Sequence, residues 1–155
     1  MVAPRSLDAF LKRHKSVYLD TSAFIYFVEQ HPRYFPLCEK IFGGIESGQV
    51  KASTSTLTLL EVLVRPYQLG QEDLVHKFYA LLTTYPHLAW VPMTLKIADH
   101  AAKLRAEVRL KTPDSIQAAS ALVHGATGFI CNDKVFEKVE RFEVLVIDDY
   151  ISGLR

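Results

Sequence analysis

Short apolar runs, separated by longer stretches with helical patterning, recur along the whole of this chain. Five short runs indicate β-strands, and they cover residues 16–19, 50–53, 88–91, 129–131 and 144–147; all but 50–53 (VKAS) are mainly apolar. Strands this short and this apolar are typical of a parallel sheet that is buried on both faces, with helices as the crossovers between strands. The sequence therefore predicts an α/β fold with three layers, α/β/α, around a parallel sheet of about five short strands.

The segments before and between these runs have the apolar spacing of helices. They cover residues 6–14, 21–29, 34–47, 57–65, 72–83, 94–109 and 113–124. The fourth is expected to end before Pro66, because a proline disfavours helical backbone in the residue before it. The last has the clearest signals, with Thr112 as its cap, Pro113 at its first position and Gly125 at its end.

The chain of 155 residues is predicted to form one domain, since it contains no repeat, no low-complexity tract and no linker-like segment. Residues 1–15 precede the first strand and are expected to form a lead-in helix, with Leu7, Phe10 and Leu11 on its apolar side.

Charge, hydropathy and cysteine content exclude several classes of protein. The 18 Lys and Arg against 17 Asp and Glu leave a net charge of +1, which excludes binding of nucleic acid by a strong overall field. No apolar run approaches the ~18–20 residues of a membrane span, and Asp8 interrupts any signal-like stretch. Cys38 and Cys131 lie far apart and outside any metal-ligand spacing, which favours a cytoplasmic protein.

Acidic residues follow the predicted strands or lie on the predicted helices next to them. Asp20 comes directly after the first strand, and Asn132 and Asp133 follow the fourth. Asp114 lies in the first turn of a helix, and Glu61 lies inside an otherwise apolar helical stretch. Because ligands of open parallel sheets bind beyond the carboxyl ends of the strands, these acids are candidates for one shared site.

Each acid also has a purely structural interpretation. Asp20 and Asp114 could serve only as favourable charges at helix N-termini. Residues 132–133 are ordinary turn formers. Glu61 could pair with Arg65, which lies four residues further along the same helix.

Taken together, the four acids favour a metal site. Carboxylates brought close in a partly dehydrated cleft repel one another, and a divalent cation relieves that repulsion. Oxygen ligands of this kind suit Mg²⁺ or Mn²⁺ better than zinc. Magnesium with a cluster of acids is typical equipment for phosphodiester chemistry, because the metal activates water and neutralises charge at the phosphate.

Four segments, taken in this order, resemble the PIN-domain ribonucleases, and within that family the VapC-type toxins of bacterial and archaeal toxin–antitoxin pairs. They are YLDTSAFIY at 18–26, TLLEVL within 57–63, LKTPDSIQAASAL at 110–122 and CNDKVF at 131–136. The third segment is the most specific of them. The resemblance extends over residues 17 to about 150, and the order of the segments carries it more than any one motif.

The resemblance implies a role for each acid. Asp20 and Asp114 would be the principal ligands of Mg²⁺ or Mn²⁺, and Glu61 would complete or orient that shell. Asp133 would hold a second, weaker metal or position the attacking water.

The resemblance also implies that three further residues bind substrate. Thr21 and Ser22 would contact metal-coordinated water or the scissile phosphate, and Asn132 would fix a phosphate oxygen or Asp20. Basic residues between 96 and 111 have two interpretations, as a solvated helix face or as a rim that follows RNA phosphates.

The activity implied is metal-dependent hydrolysis of RNA by an endoribonuclease, the toxin of a pair whose cognate antitoxin restrains it. The resemblance also implies a homodimer, for which the apolar sides of helices at 34–42 and 57–64 are the candidate surface. Two alternatives stay open: an RNA-processing nuclease without an antitoxin, and a non-catalytic RNA-binding or scaffolding module.

Overall fold

The computed structural model describes residues 5–154 as alternating strands and helices. The strands are β1 (Ser16–Leu19), β2 (Lys51–Ser55), β3 (Leu88–Val91), β4 (Gly128–Cys131) and β5 (Glu143–Val146). The helices are α1 (Leu7–Arg13), α2 (Thr21–Val28), α3 (Phe35–Glu46), α4 (Thr56–Gln68), α5 (Glu72–Thr84), α6 (Leu95–Val108), α7 (Thr112–His124) and α8 (Ile147–Tyr150). Short 3-10 helices cover Lys134–Lys138 and Ile151–Leu154.

The five strands form one parallel sheet in the order β3-β2-β1-β4-β5. This confirms the predicted sheet and its strand number. The chain builds outward in one direction from β1 through β2 to β3, and in the other direction from β4 to β5. The strand order therefore reverses between β1 and β4, and their carboxyl ends flank the crevice where such sheets bind ligands.

Alternate residues of each strand point to opposite faces of the sheet, and each face has its own core. On one face Leu19 and Ile130 pack with α1 to α5 and α8. On the other face Tyr18 and Phe129 stack with ring centroids 5.2 Å apart, next to α6 and α7. The sheet is covered by helices on both sides, so the three-layer α/β/α prediction is confirmed.

Helix α1 covers Leu7–Arg13 of the lead-in, and residues 1–4 lie outside the described residues. Phe10 packs so closely over Gly128 that a Cβ there would lie 2.9 Å from the Phe10 ring. His14, just after the helix, lies 2.8 Å from the Thr127 hydroxyl and 2.7 Å from the Glu143 carboxylate. Glycine at the start of β4 thus allows α1 to cover the edge of the core.

Two predicted helix boundaries are wrong. Helix α4 continues through Pro66 to Gln68, because the missing N–H affects one hydrogen bond close to the helix end and the proline ring is buried. Thr112 does not cap α7 but lies in its first turn, where its hydroxyl accepts a hydrogen bond from Arg105. Gly125 ends α7 as predicted, in the left-handed conformation with φ of 87°.

Over residues 5–154, no helix combines the length and the apolar character needed to span a bilayer.

Candidate functional site

The fold brings the four predicted acids to the same end of the sheet. Asp20 follows β1, Asp133 follows the adjacent strand β4, and the backbone N–H of Asp20 donates to Ile130 O at 3.1 Å. Asp114 lies in the first turn of α7, and Glu61 lies on α4, which packs against both α2 and α7. The site is therefore built at the reversal of strand order, where the sequence predicted it.

Asp20 has a strongly perturbed carboxylate. It caps α2, and its Oδ1 accepts hydrogen bonds from the Ser22 backbone N–H at 3.1 Å and from the Ser22 hydroxyl at 2.7 Å. Burial outweighs these bonds and raises the pKa of Asp20 to about 7, with further contributions from the charges of Glu61 and Asp114. A carboxylate in this state gains from any cation that approaches it.

Asp114 shares this electrostatic environment. Desolvation raises its pKa, and the charges of Asp133 and Glu61 act in the same direction. Lys111 opposes the shift but does not cancel it. Across the described residues, the salt bridges do not include any of the four acids. No salt bridge among the described residues therefore neutralises the charge of this cluster.

Glu61 is held by two donors on its Oε1 atom. The Thr21 hydroxyl donates to it at 2.7 Å and the Gln117 side-chain amide donates at 2.8 Å. These contacts replace the pairing with Arg65 that was the structural interpretation of Glu61. Thr21 and Ser22 were both predicted to bind substrate. In the structure Thr21 holds Glu61 and Ser22 holds Asp20.

A buried polar network lies beneath the acids, and sequence reasoning missed it. The Tyr18 hydroxyl accepts from the Ser55 backbone N–H at 3.0 Å and donates to the Gln117 side-chain oxygen. The Gln117 amide nitrogen also lies 3.3 Å from the Thr58 hydroxyl. Gln117 lies three residues after Asp114 among buried alanines of α7, and a polar residue on so apolar a face was the signal available in the sequence.

Asp133 and Asn132 have clear structural contacts. The Asp133 Oδ1 accepts from the Val135 backbone N–H at 2.9 Å and caps the following 3-10 helix. Asn132 donates to the Tyr26 hydroxyl at 3.0 Å, and its Oδ1 accepts from the Asp148 N–H at 2.9 Å. Both ends of the Asn132 amide are thus engaged by protein, and its contact with a phosphate or with Asp20 stays a prediction.

The donor chemistry of the site fits a hard divalent cation. Carboxylate and hydroxyl oxygens are the ligands of Mg²⁺ and Mn²⁺, and a cation would offset the burial and the repulsion that together raise the pKa values of Asp20 and Asp114. In the side-chain positions described over residues 5–154, no three His, Cys, Asp or Glu groups already form a metal-binding cluster. Metal binding by these acids therefore stays a prediction.

Comparison with known proteins assigns the family. The family model of the PIN domain matches residues 17–142, which is most of the chain. The protein belongs to the PIN domain family, as its four sequence segments predicted. A comparison with curated proteins gives no match.

Three solved structures have a similar fold. VapBC2 from Rickettsia felis, bound to a DNA fragment from its promoter, matches with 16% identity and a TM-score of 0.65, over 84% of this chain and 97% of that chain. A toxin–antitoxin complex from Klebsiella pneumoniae matches with 23% identity and a TM-score of 0.64, over 84% and 97%. DNA-bound VapBC from Salmonella typhimurium matches with 19% identity and a TM-score of 0.61, over 84% and 96%.

Proposed function

We propose that this protein is an endoribonuclease that hydrolyses RNA phosphodiester bonds with Mg²⁺ or Mn²⁺. One observation carries the proposal: Asp20 lies at the reversal of strand order, where burial and the charges of Glu61 and Asp114 raise its pKa to about 7. Structural ion-pair networks also perturb pKa values, but within the described chain no salt bridge includes any of the four acids. Membership of the PIN domain family supports the same activity.

The residues have distinct roles in this proposal. Asp20 and Asp114 hold the cation, Glu61 completes or orients the shell, and Asp133 holds a second cation or positions water. A bound cation supplies charge neutralisation at the phosphate and lowers the pKa of water. The Ser22 hydroxyl and backbone N–H fix one oxygen of Asp20 and leave the other to face the ligand.

The RNA backbone is proposed to approach over the turn between α6 and α7. Arg109 and Lys111 lie in this turn, and Arg105 contacts Thr112 on the first turn of α7. Positive groups beside the acids attract phosphates and bring the scissile bond to the cation. Lys111 is close enough to Asp114 to influence its pKa, which supports this approach.

The direct test is cleavage of a mixed single-stranded RNA by the purified protein. We expect cleavage products with Mn²⁺ or Mg²⁺, none with EDTA, and none from a DNA oligonucleotide of the same sequence. Binding of RNA without cleavage at any metal concentration would favour the non-catalytic module instead.

A cognate antitoxin is the second part of the proposal. The similar structures from three bacteria are described as toxin–antitoxin or VapBC complexes, which supports a partner of this kind here. The reading frame next to this gene should then encode a small DNA-binding protein that suppresses the cleavage. A gene without such a neighbour would favour the RNA-processing nuclease.

The apolar surface on α4 supports the proposed homodimer. Leu60 and Val64 are 59% and 46% exposed, although large apolar side chains gain from burial. The other predicted surface, on the helix at 34–42, is wrong, because Leu37 and Ile41 face the core of their own chain.

Light scattering at micromolar concentration should give twice the chain mass of 17.5 kDa. Leu60→Asp should weaken the dimer at least about 10-fold, because a charge would replace an apolar contact. The matched control is Leu95→Asp on α6, where the side chain is 92% exposed. A monomeric wild-type protein would contradict the proposal.

A cytoplasmic location completes the proposal. Cys38 and Cys131 are buried free thiols, as is usual in proteins of a reducing compartment.

A further inference from the structure

Gln117 is a buried amide between the sheet core and the acidic site. Gln117 is only 3% exposed, and its neighbours on α7 include Ala118, Ala119 and Ala121, which are fully buried. A polar group in such surroundings persists only when its hydrogen bonds are satisfied. The bonds of Gln117 run in two directions, to Tyr18 on one side and to Glu61 on the other.

The orientation of the Gln117 amide follows from these two neighbours. The Tyr18 hydroxyl accepts from the backbone N–H of Ser55, so its single proton is free to be donated to the Gln117 oxygen. A carboxylate only accepts hydrogen bonds when it is ionised, so Glu61 requires the NH₂ end of the amide. A rotated amide would place two acceptors together at Glu61, and both ends therefore select one orientation.

Thr21 is fixed by the same amide. Its hydroxyl accepts from the Gln117 nitrogen at 3.3 Å and donates to Glu61 Oε1 at 2.7 Å. The hydrogen bonds described for Glu61 thus all end on one oxygen, Oε1. Its second oxygen, Oε2, is the atom that this arrangement leaves for a ligand.

We propose that Gln117 is a positioning residue, which holds Glu61 so that Oε2 faces the cation, and that Tyr18 in turn anchors Gln117. The inference rests on the proposed function, since it concerns the cation that Glu61 would help to bind. Groups that orient metal ligands from behind typically change metal affinity or activity by about 10–100-fold when they are replaced.

The test compares Gln117→Met with a matched control. Methionine has a similar length and volume but cannot donate to Glu61, and its sulfur is only a weak acceptor for the Tyr18 hydroxyl. The control is Ser120→Ala, because Ser120 is also fully buried on α7 but donates only to its own helix, to Ile116 O at 2.7 Å. Calorimetry measures the Kd of Mn²⁺ for each variant without RNA, and thermal melting in EDTA measures the stability of each fold.

We expect Gln117→Met to weaken Mn²⁺ binding by about 10–100-fold and Ser120→Ala to leave the Kd unchanged. In cleavage assays, kcat of Gln117→Met should fall at low Mn²⁺ and recover as Mn²⁺ rises, with KM for RNA unchanged. A residue that only fills the core would lower the melting temperature without moving the Kd, and this result would overturn the proposal.

Tyr18→Phe provides a second variant, which removes one buried oxygen and keeps the ring. It should weaken Mn²⁺ binding in the same direction, and the effects of the two substitutions should not add, because both act through one network. An unchanged Kd in this variant contradicts the proposal even if Gln117→Met does not fold. If the wild-type protein binds no Mn²⁺, the proposed function fails together with this inference. If the wild type binds Mn²⁺ and cleaves RNA, but the variants keep the wild-type Kd, only this inference is overturned.

Discussion

Replacing Asp20 or Asp114 by Asn should abolish RNA cleavage, with a fall in rate of at least about 100-fold. Loss of a group that only supports a metal ligand costs up to about 100-fold, so loss of a ligand itself should cost at least as much. Each substitution removes a charge that the cation requires but keeps the side-chain shape. Asparagine is as good a helix cap as aspartate, so Asp20→Asn can still accept from the Ser22 backbone N–H and start α2. Activity should therefore be lost in a protein that remains folded, which circular dichroism and thermal melting verify.

Asp99→Asn is the matched control for both substitutions. The Asp99 side chain is 65% exposed on α6 and, among the described residues, pairs only with Lys103, at 3.2 Å, so this substitution should leave cleavage unchanged. Asp148 is a poorer control, because its carboxylate contacts Tyr34 and Arg33 and its N–H bonds to Asn132. Near wild-type cleavage by Asp20→Asn would remove Asp20 from the catalytic site.

Most of the sheet was predictable from sequence because parallel strands buried on both faces are usually apolar. All five strands were located to within about two residues, although β2 (Lys51–Ser55) is mostly polar and buries the hydroxyls of Ser53, Thr54 and Ser55. The boundaries of α4 and α7 were less predictable because side-chain contacts override local rules. Burial of Pro66 keeps α4 helical, and the contact between Arg105 and Thr112 occupies the hydroxyl expected to cap α7.

The position of the acids was predictable for a topological reason. Residues that follow adjacent parallel strands lie at one edge of a sheet, so Asp20 and Asp133 had to be neighbours once β1 and β4 paired. The network behind them was not predictable in the same way. Gln117 meets Tyr18 and Glu61 only through the packing of α7 against α4 and the sheet, and no local pattern encodes that packing.

The metal-free protein should become less stable as the pH rises toward 8. The pKa of Asp20 rises from 3.8 in the unfolded chain to about 7 in the native state, so between these values the native state binds a proton that the unfolded state has released. Unfolding free energy therefore falls with pH, by up to about 1.4 kcal/mol per pH unit, and levels off above pH 7. Melting in EDTA should accordingly be about 4–8 °C higher at pH 5.5 than at pH 8. Asp20→Asn lacks this proton and should flatten the dependence.

The repulsion between the ionised acids also predicts a large rise in melting temperature when metal is added at pH 8. A cation that binds the native acids but not the unfolded chain stabilises the fold by about 2.7 kcal/mol at 100 times its Kd, or roughly 5–10 °C for a chain of this size. Asp20→Asn removes a ligand together with a repelling charge, so it should raise the melting temperature in EDTA and reduce the response to Mn²⁺. Calcium takes the same oxygen ligands and should also stabilise the fold.

The two effects of Asp20→Asn separate a metal site from unrelated surface acids. If Asp20 only capped α2, asparagine would replace it with little change, and Mn²⁺ would act alike on both proteins. If the acids form one site, the variant gains stability without metal and loses it relative to wild type with metal. Equal melting of the wild type in EDTA and in Mn²⁺, with a lower metal-free value for Asp20→Asn, would show that the acids act separately. If Asp20→Asn raises the melting temperature in EDTA but lowers it relative to wild type in Mn²⁺, the same charge must destabilise the metal-free fold and bind the cation.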